Sequence, residues 1–206
     1  MTPVRLLVAT GNPGKVREYE RLLAGLPVAV ETLASLPGYV PPEETGETFA
    51  ANAVLKASAA SRAAGIPALA DDSGLCVEAL GGAPGVHSAR FAGEGASDAD
   101  RRRALLRALA GVQDRAAAFE CVIALASPDG PVQTLVGRCD GAILEAERGD
   151  GGFGYDPLFV PSEEALSFAE MTPADKDRIS HRGRAAAGLP DLVARVLGVA
   201  EEGRIG

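Results

Sequence analysis

A short apolar strand that leads through a polar turn directly into a helix opens the chain, and it restricts the fold more than any other feature. Val4–Ala9 is apolar and typical of a strand, and residues 10–14 are rich in turn-forming types. Asn12 is placed to cap a helix that begins with Pro13, and Gly25 is a stop signal for that helix. A strand–turn–helix unit of this kind predicts an α/β protein.

Strand-like and helix-like segments alternate along the rest of the chain. The predicted strands are Val28–Val30, Ala68–Ala70, Ala116–Ala126 and Val132–Leu144 as a hairpin, and Pro157–Val160. The predicted helices are Glu47–Ala64, Ser97–Leu109, Pro173–Ala187 and Asp191–Leu197. This order predicts an α/β or α+β fold with a mixed central sheet, formed as a single domain over residues 1–206, with two lobes around an active-site cleft.

The charge balance and the cysteine content exclude several classes of protein. With 28 acidic against 20 basic residues, a net charge of −8 disfavours general nucleic-acid binding. No apolar run approaches the roughly 18 residues that a membrane span needs. The three cysteines form neither a C-x-x-C pair nor an even disulfide set, which favours a reducing compartment. We therefore expect a cytoplasmic protein with no nucleic-acid or membrane partner.

The turn after the first strand has the composition of an anion site. Thr10–Lys15 is not a P-loop, because two residues separate its glycines and Val16 stands where a metal-binding Ser or Thr is required. A hydroxyl, an amide and a lysine at a helix N-terminus nevertheless favour an anionic ligand. An ordinary capped turn is the alternative interpretation of the same residues.

A glycine-rich segment near residue 150 has the residue spacing of a nucleotide-binding motif but not the secondary structure that the motif requires. Gly149–Gly154 satisfies G-x-G-x-x-G, but the residues that follow it are not helical, so the dinucleotide-binding interpretation is rejected. A simple glycine turn remains, in which Phe153, Tyr155 and Asp156 could contribute to ligand binding.

A pair of adjacent carboxylates, Asp71 and Asp72, is predicted at a strand end. One of them could bind Mg²⁺ or accept a proton from water while the other orients the loop, and either Glu43 or Glu44 of the acidic loop is a possible second ligand. Adjacent carboxylates are otherwise usually exposed, so a solvated acidic turn is the alternative.

Three further groups of polar residues have a structural and a functional interpretation. Asn52 and Lys56 share one helix face, where the lysine either contacts phosphate or is solvated. The basic run Arg101–Arg103 with Arg107 is interpreted as a solvated helix face and is assigned no function. The donor-rich cluster near the end of a predicted helix either binds a ligand or complements the helix dipole, and it consists of Lys176, Asp177, Ser180, His181 and Arg182.

Six motifs taken together closely resemble the inosine triphosphate pyrophosphatase family. They are Thr10–Lys15, Glu44–Gly46 with Phe49–Ala53 and Lys56–Ala57, Asp71–Leu75, Gly81–Gly85, Gly151–Pro157 and Ser180–Gly183. The motifs occur in the family's order from residue 10 to residue 183, so the resemblance covers nearly the whole chain.

The resemblance implies Mg²⁺-dependent hydrolysis of ITP, dITP and XTP to the nucleoside monophosphate and pyrophosphate. It further implies an α/β protein with two lobes around a cleft, usually a homodimer. By position, Asp72 matches the catalytic carboxylate and a metal ligand, and Glu44 matches a second metal-site residue. The matched substrate-binding residues are Thr10, Gly11, Asn12, Pro13, Gly14, Lys15, Lys56, Ser73, Phe153, Gly154, Tyr155, Asp156, Lys176, His181 and Arg182.

The residues suggest how such a site would select its substrate. A ring such as Phe153 can stack on a purine, and donors from Lys176, His181 or Arg182 could face a 6-oxo group. Adenine would present a 6-amino donor to those donors and be disfavoured. Three alternatives remain, namely a related enzyme for modified pyrimidine or methylated nucleotides, a nucleotide-binding protein without catalysis, and an interaction domain.

Overall fold

Six strands and six α-helices make up most of the regular structure of residues 3–197, the part of the chain that the computed structural model describes. The strands are β1 (Val4–Val8), β2 (Val28–Thr32), β3 (Ala68–Val77), β4 (Ala116–Ala126), β5 (Gln133–Ile143) and β6 (Phe159–Pro161). The helices are α1 (Pro13–Leu22), α2 (Phe49–Ala64), α3 (Asp98–Ala108), α4 (Pro173–Ile179), α5 (His181–Ala186) and α6 (Leu189–Leu197).

The strands form one mixed sheet in the order β2-β1-β3-β4-β5-β6. β1 pairs in parallel with both β2 and β3, whereas β5 and β6 are antiparallel. β4 and β5 are neighbours in the sheet and follow one another in the chain, as the hairpin prediction requires. The predicted α/β fold with a mixed central sheet is therefore confirmed.

The chain divides into two compact units. Among the described residues, unit 1 comprises 3–72, 122–135 and 185–197, and unit 2 comprises 73–121 and 136–184. β3, β4 and β5 each begin in one unit and end in the other. Two compact units agree with the two predicted lobes, whereas the cleft stays a prediction.

Unit 1 has a core of strand residues and small helix residues. Leu6 and Leu7 of β1 are fully buried, and so are Ala53, Ala57 and Ala60, which recur on one face of α2. α2 contacts β1, and a face lined by alanine allows the helix backbone to approach the sheet closely. Thr48 caps α2 through the N–H of Ala51, and Gly65 ends it in a left-handed conformation.

Unit 2 has an aromatic core. The ring of Phe159 packs edge-on against Phe119 at 4.8 Å and lies 5.1 Å from Phe168. Leu75 and Leu105, both fully buried, belong to the same cluster. Closely packed buried side chains of this kind form a rigid base for the polar residues that lie on them.

β3 differs from its prediction, because it continues through Asp71 and Asp72 instead of ending before them. Both aspartates are buried, with 3% of Asp71 and 6% of Asp72 exposed to solvent. The strand can carry them because each has a cationic partner, Lys15 for Asp71 and Lys56 for Asp72. The alternative of an exposed acidic turn is therefore wrong.

The predicted helix Pro173–Ala187 is in fact two helices. α4 ends at Ile179, and α5 begins at His181, because Ser180 is extended. The Ser180 hydroxyl accepts the N–H of Gly183 at 3.1 Å and so caps the second helix. A Cβ on Gly183 would lie 1.6 Å from the carbonyl oxygen of Asp177, so only glycine allows the backbone of α5 to approach the end of α4 this closely.

The register of β1 and β3 positions the polar residues of unit 1. Val8, the last residue of β1, pairs with Leu69. β1 then gives way to the turn that leads into α1, while β3 continues for several residues. Asp71 and Asp72 therefore lie just beyond Leu69, the last residue of β3 that pairs with β1, at the edge where α1 begins. This position accounts for the ion pair between Lys15 and Asp71.

Candidate active site

Lys56 is the centre of a buried carboxylate–lysine group in unit 1. Its ammonium lies 2.7 Å from Oε1 of Glu44 and 3.2 Å from Oδ1 of Asp72. Only 14% of the Lys56 side chain and 8% of the Asp72 side chain are exposed. The two carboxylates therefore share one cation, and around Asp72 and Lys56, which are largely shielded from water, charge interactions are stronger than in bulk water.

Asn52 fixes the geometry of this group. Its amide nitrogen donates to Oδ2 of Asp72 at 3.1 Å and to the carbonyl of Gly46 at 3.2 Å, and its oxygen accepts the N–H of Gly46 at 2.8 Å. Asn52 is fully buried. A Cβ on Gly46 would lie 2.5 Å from the Asn52 oxygen, so this arrangement needs glycine there. The acidic loop, α2 and Asp72 are thereby joined by one side chain.

The pKa values of Asp72 and Lys56 are both raised, the first by burial and the second by neighbouring charges. Burial raises the pKa of the Asp72 carboxyl above its ordinary value, and nearby Glu44 adds to this, while Lys56 and Lys15 oppose it. Burial alone would lower the pKa of Lys56, but Asp72, Asp71 and Glu44 outweigh it and the pKa is raised. Lys56 is therefore a permanent cation beside a carboxylate of increased basicity.

The turn between β1 and α1 contributes donors and a second lysine. The side chain of Asn12 accepts the N–H groups of Gly14 at 2.8 Å and Lys15 at 3.2 Å, as its predicted capping role requires. Thr10 accepts the N–H of Asn12 at 3.2 Å. The Lys15 ammonium lies 2.9 Å from Oδ2 of Asp71. A cation and a helix N-terminus thus occur together in unit 1, a combination that favours an anionic ligand.

Glu44 and Asp72 fit the requirements of a divalent cation bound through oxygen. Mg²⁺ in enzymes is usually held by one or two carboxylates together with phosphate and water oxygens. Glu44 and Asp72 supply two such carboxylates around Lys56, whereas Glu43 is exposed. Within residues 3–197, no group of three His, Cys, Asp or Glu side chains forms a ready-made metal site. This pair would therefore rely on oxygens from a ligand to complete the coordination.

Unit 2 carries an aromatic group with a buried ion pair. Lys176 lies 2.6 Å from Oδ2 of Asp156, and both residues are at most 5% exposed. The same carboxylate oxygen accepts the N–H of Phe153 at 2.8 Å. The Lys176 ammonium also lies 4.7 Å from the centre of the Phe153 ring, within the range of a cation–π interaction. Asp156 therefore positions both a ring and a cation.

His181, Arg182 and Ser73 complete the predicted residues of unit 2. The Arg182 guanidinium donates to the Ser73 hydroxyl at 2.9 Å and lies 6.0 Å from the Phe153 ring. The His181 ring stacks on Phe119 at 4.6 Å with an angle of 11°. Both residues are buried, and Arg182 lies beside the predicted base-binding ring while His181 packs on Phe119.

Tyr155 is a buried residue whose hydroxyl is hydrogen-bonded inside the protein. It is 4% exposed, and its hydroxyl donates to the carbonyl of Ser88 at 2.9 Å. The Ser88 hydroxyl accepts the N–H of Leu75 at 2.9 Å. Burial raises the pKa of Tyr155 to about 12. The phenol is therefore an internal donor that ties the segment around Gly154 to the loop after β3.

The structure brings the predicted residues together within each unit. In unit 1, the turn from Thr10 to Lys15, Glu44, Lys56 and Asp72 lie in one polar group, and in unit 2 Phe153, Asp156, Lys176 and Arg182 do the same. Their roles toward a substrate stay predictions. Asn52 and Asp71 are not among the site residues that the family resemblance implies, although Asp71 was a candidate as one of the two adjacent carboxylates and the spacing of Asn52 and Lys56 on one helix face was a signal for Asn52.

The prediction of a solvated basic run is wrong for part of α3. Arg102 is 16% exposed in its side chain and donates to the carbonyl of Gly154 at 2.9 Å. Arg101 is 19% exposed and donates to the carbonyls of Ala89 and Ala96. Arg103, with 62% exposure, and Arg107, which is exposed, behave as predicted. The partners of Arg101 and Arg102 lie in loops, which helical periodicity does not reveal.

The fold and the site define an α/β protein with a buried carboxylate–lysine centre. A sequence model described as the Ham1 family matches residues 6–192, and the chain therefore belongs to the Ham1 family. This confirms the family that its motifs predict.

Relatives of known sequence and structure agree with this assignment. The chain is 51% identical to a dITP/XTP pyrophosphatase of Geobacter sulfurreducens over 91% of this chain and 95% of that protein. It is 55% identical to a dITP/XTP pyrophosphatase of Deinococcus deserti over 90% and 87% of the two chains. A HAM1 protein from Coxiella burnetii superposes with a TM-score of 0.82 at 40% identity, covering 93% of this chain and 99% of that one.

Proposed function

We propose that this protein hydrolyses deaminated purine nucleoside triphosphates, namely ITP, dITP and XTP, to the monophosphate and pyrophosphate. The observation that carries the proposal is the buried Asp72 carboxylate beside Lys56, with Glu44 on the same ammonium. Two relatives at 51% and 55% identity, both named dITP/XTP pyrophosphatase, support the same substrate class. The activity would remove damaged precursors from the nucleotide pool.

The residues of unit 1 act on the triphosphate. Lys15 and Lys56 attract the phosphate oxygens, and the positive end of the α1 dipole adds to this attraction. Asp72, held by Asn52, orients the attacking water and accepts its proton at Oδ1 or Oδ2, an effect worth roughly 10²–10⁴ in rate. The pKa of Asp72 is raised by burial, which makes the carboxylate a stronger base.

Glu44 and Asp72 are the residues that would hold Mg²⁺. When bound, the cation neutralises charge on the phosphate oxygens and polarises the phosphorus that water attacks. No covalent intermediate with the protein is needed, because water itself is the nucleophile.

The residues of unit 2 select the base. Phe153 offers its ring for stacking on the purine, while Lys176 and Arg182 lie near that ring as donors for a 6-oxo group. An adenine 6-amino group would place a donor against those donors, which disfavours ATP and dATP.

Product analysis over a panel of nucleotides tests the proposal. Incubation of the protein with dITP and Mg²⁺ should yield dIMP and pyrophosphate in equal amounts, and EDTA should stop the reaction. XTP and ITP should be cleaved, whereas dATP and dUTP should react at least tenfold more slowly. Release of orthophosphate alone, or a preference for dUTP, would reject the proposal.

Assembly and location follow as further parts of the same proposal. We expect a homodimer, which light scattering on the purified protein measures directly. The three cysteines at positions 76, 121 and 139 are free thiols, which supports a cytoplasmic location. No helix in residues 3–197 has the length and apolar character needed to cross a membrane.

A further inference from the structure

Both backbone polar groups of Gly154 are held by side chains of α3. The N–H of Gly154 donates to Oδ2 of Asp98 at 2.7 Å, and its carbonyl accepts from Nη1 of Arg102 at 2.9 Å. A loop residue is more often hydrogen-bonded to its own neighbours or to water. Two charged side chains on the backbone of one residue therefore indicate a specific restraint.

α3 is well suited to apply such a restraint. Asp98 is its first residue, and Arg102 follows one turn later on the same face. Ser97 and Asp100 form a complete capping box at the start of the helix, which keeps the first turn from fraying. The two side chains are thus presented by a rigid element.

The charges of this restraint are themselves compensated. Burial alone would raise the pKa of Asp98, but the N–H of Gly154 together with Arg101 and Arg102 lowers it below its ordinary value. The guanidinium of Arg102 also contacts Glu147, with Nε 3.0 Å from Oε1. Asp98 therefore stays ionised over the neutral range and accepts a strong, charge-assisted hydrogen bond.

The restrained residue follows the proposed base-binding ring directly. Gly154 has φ +62°, a left-handed conformation that glycine adopts without strain. On the other side, the N–H of Phe153 is bound by Asp156 at 2.8 Å. The backbone N–H groups of Phe153 and Gly154 therefore both donate to carboxylates, those of Asp156 and Asp98.

We infer that Asp98 and Arg102 are positioning residues that hold Phe153 in place for the purine by clamping Gly154. The inference rests on the proposed function, because Phe153 is assigned to the base there. Arg102 of the basic run would thus contribute to substrate recognition, although neither Asp98 nor Arg102 contacts the substrate. A ring fixed before binding costs less ordering entropy when the base stacks on it.

Steady-state kinetics with dITP tests the clamp. Asp98→Ala and Arg102→Ala should each raise KM by about tenfold, the loss expected for one charged hydrogen bond, while kcat changes less than threefold. Asp98→Asn, which can still accept the Gly154 N–H, should recover most of the affinity. Arg103→Ala, on the exposed side of the same helix, is the matched control and should leave KM within twofold.

Hydrogen exchange gives a readout that does not depend on turnover. Peptides covering residues 149–156 should exchange at least tenfold faster in Asp98→Ala and Arg102→Ala than in Arg103→Ala, with the β4 peptides unchanged. Unaltered exchange in residues 149–156, or a fall in kcat at constant KM, would overturn the inference. A wild-type protein that binds no dITP and has no turnover would reject the proposed function, and the exchange data would still decide whether the clamp exists.

Discussion

Asp72 shows how single residues determine what this site can do. A carboxylate at 6% exposure is stable only with partners, and it has Lys56 at 3.2 Å and Asn52 at 3.1 Å. The same burial that makes these partners necessary raises its pKa and so its basicity. Its partners lie on one helix, α2, so the geometry depends on a single rigid element.

Glu44 and Glu43 form a natural pair of test and control for the metal site. Glu44→Gln should raise the Mg²⁺ concentration for half-maximal turnover at least tenfold, because one of two charged oxygen ligands is lost. Glu43→Gln should have less than a twofold effect, since Glu43 is exposed and Glu44 makes the contact with Lys56. Magnesium titrations of dITP turnover measure both. Equal effects of the two variants would contradict the assignment of Glu44.

Asn52→Ala tests the residue that joins Gly46 to Asp72. The variant leaves the partly buried N–H of Gly46 without its acceptor and Oδ2 of Asp72 without the Asn52 donor, while Lys56 still donates to Oδ1 of Asp72. We expect a loss of about 1–3 kcal/mol in the free energy of unfolding and at least a tenfold drop in kcat. Urea unfolding and initial rates check the two effects. Full activity in a destabilised variant would show that Asn52 is structural only.

At the scale of elements, the break between α4 and α5 places His181 and Arg182 at the start of a new helix. The break requires both the cap from Ser180 and a glycine at 183. Gly183→Ala should destabilise the protein by about 1–3 kcal/mol, because its Cβ would overlap the carbonyl of Asp177.

Thermal unfolding measures this effect against Gly11→Ala. A Cβ on Gly11 meets nothing within 4 Å, so that variant should stay within about 0.5 kcal/mol of the wild type. Similar losses in the two variants would refute the steric account of the break.

Elements with local signals were predictable from the sequence, and those that depend on distant partners were not. α3 has its own capping box, and β4 its own run of apolar residues, and both lie where the pattern indicates them. The passage of β3 through Asp71 and Asp72 depends on Lys15 and Lys56, which are far away in sequence. The break at Ser180 depends on one close backbone approach at Gly183, which no periodicity encodes.

The same distinction applies to the site. A motif such as Thr10–Lys15 indicates an anion site because its turn residues and lysine are contiguous, and the structure shows Asn12 as the cap. The role of Arg102 was not predictable, because its partner Gly154 lies 52 residues away in the chain. The residues alone left Glu43 and Glu44 open as the second ligand, and the contact of Glu44 with Lys56 supports the choice of Glu44 that the resemblance implies.

At the scale of the whole molecule, stability at high pH depends on Tyr155. Its pKa of about 12 exceeds the ordinary value of 10, so the buried phenol stays neutral while the unfolded form ionises. This contribution is complete below pH 10 and is lost as the pH rises toward 12. Tyr155→Phe should be about 1 kcal/mol less stable at pH 8, through the lost hydrogen bond to Ser88.

Urea unfolding between pH 8 and roughly pH 11 measures the comparison. The stability of wild type should fall more steeply than that of Tyr155→Phe above pH 10, so the difference between them should shrink or reverse. A difference that stays constant with pH would show that the Tyr155 phenol does not control this dependence.

The central claim is that Asp72 performs the chemistry on the triphosphate, and the rate of pyrophosphate release from dITP by Asp72→Asn tests it most directly. The amide keeps the shape of the side chain and its neighbours Asn52 and Lys56, but it can neither accept a proton from water nor bind a cation as a charged ligand. We expect turnover to fall by at least roughly 10²-fold with the circular dichroism spectrum unchanged. Turnover within tenfold of the wild type would contradict the account.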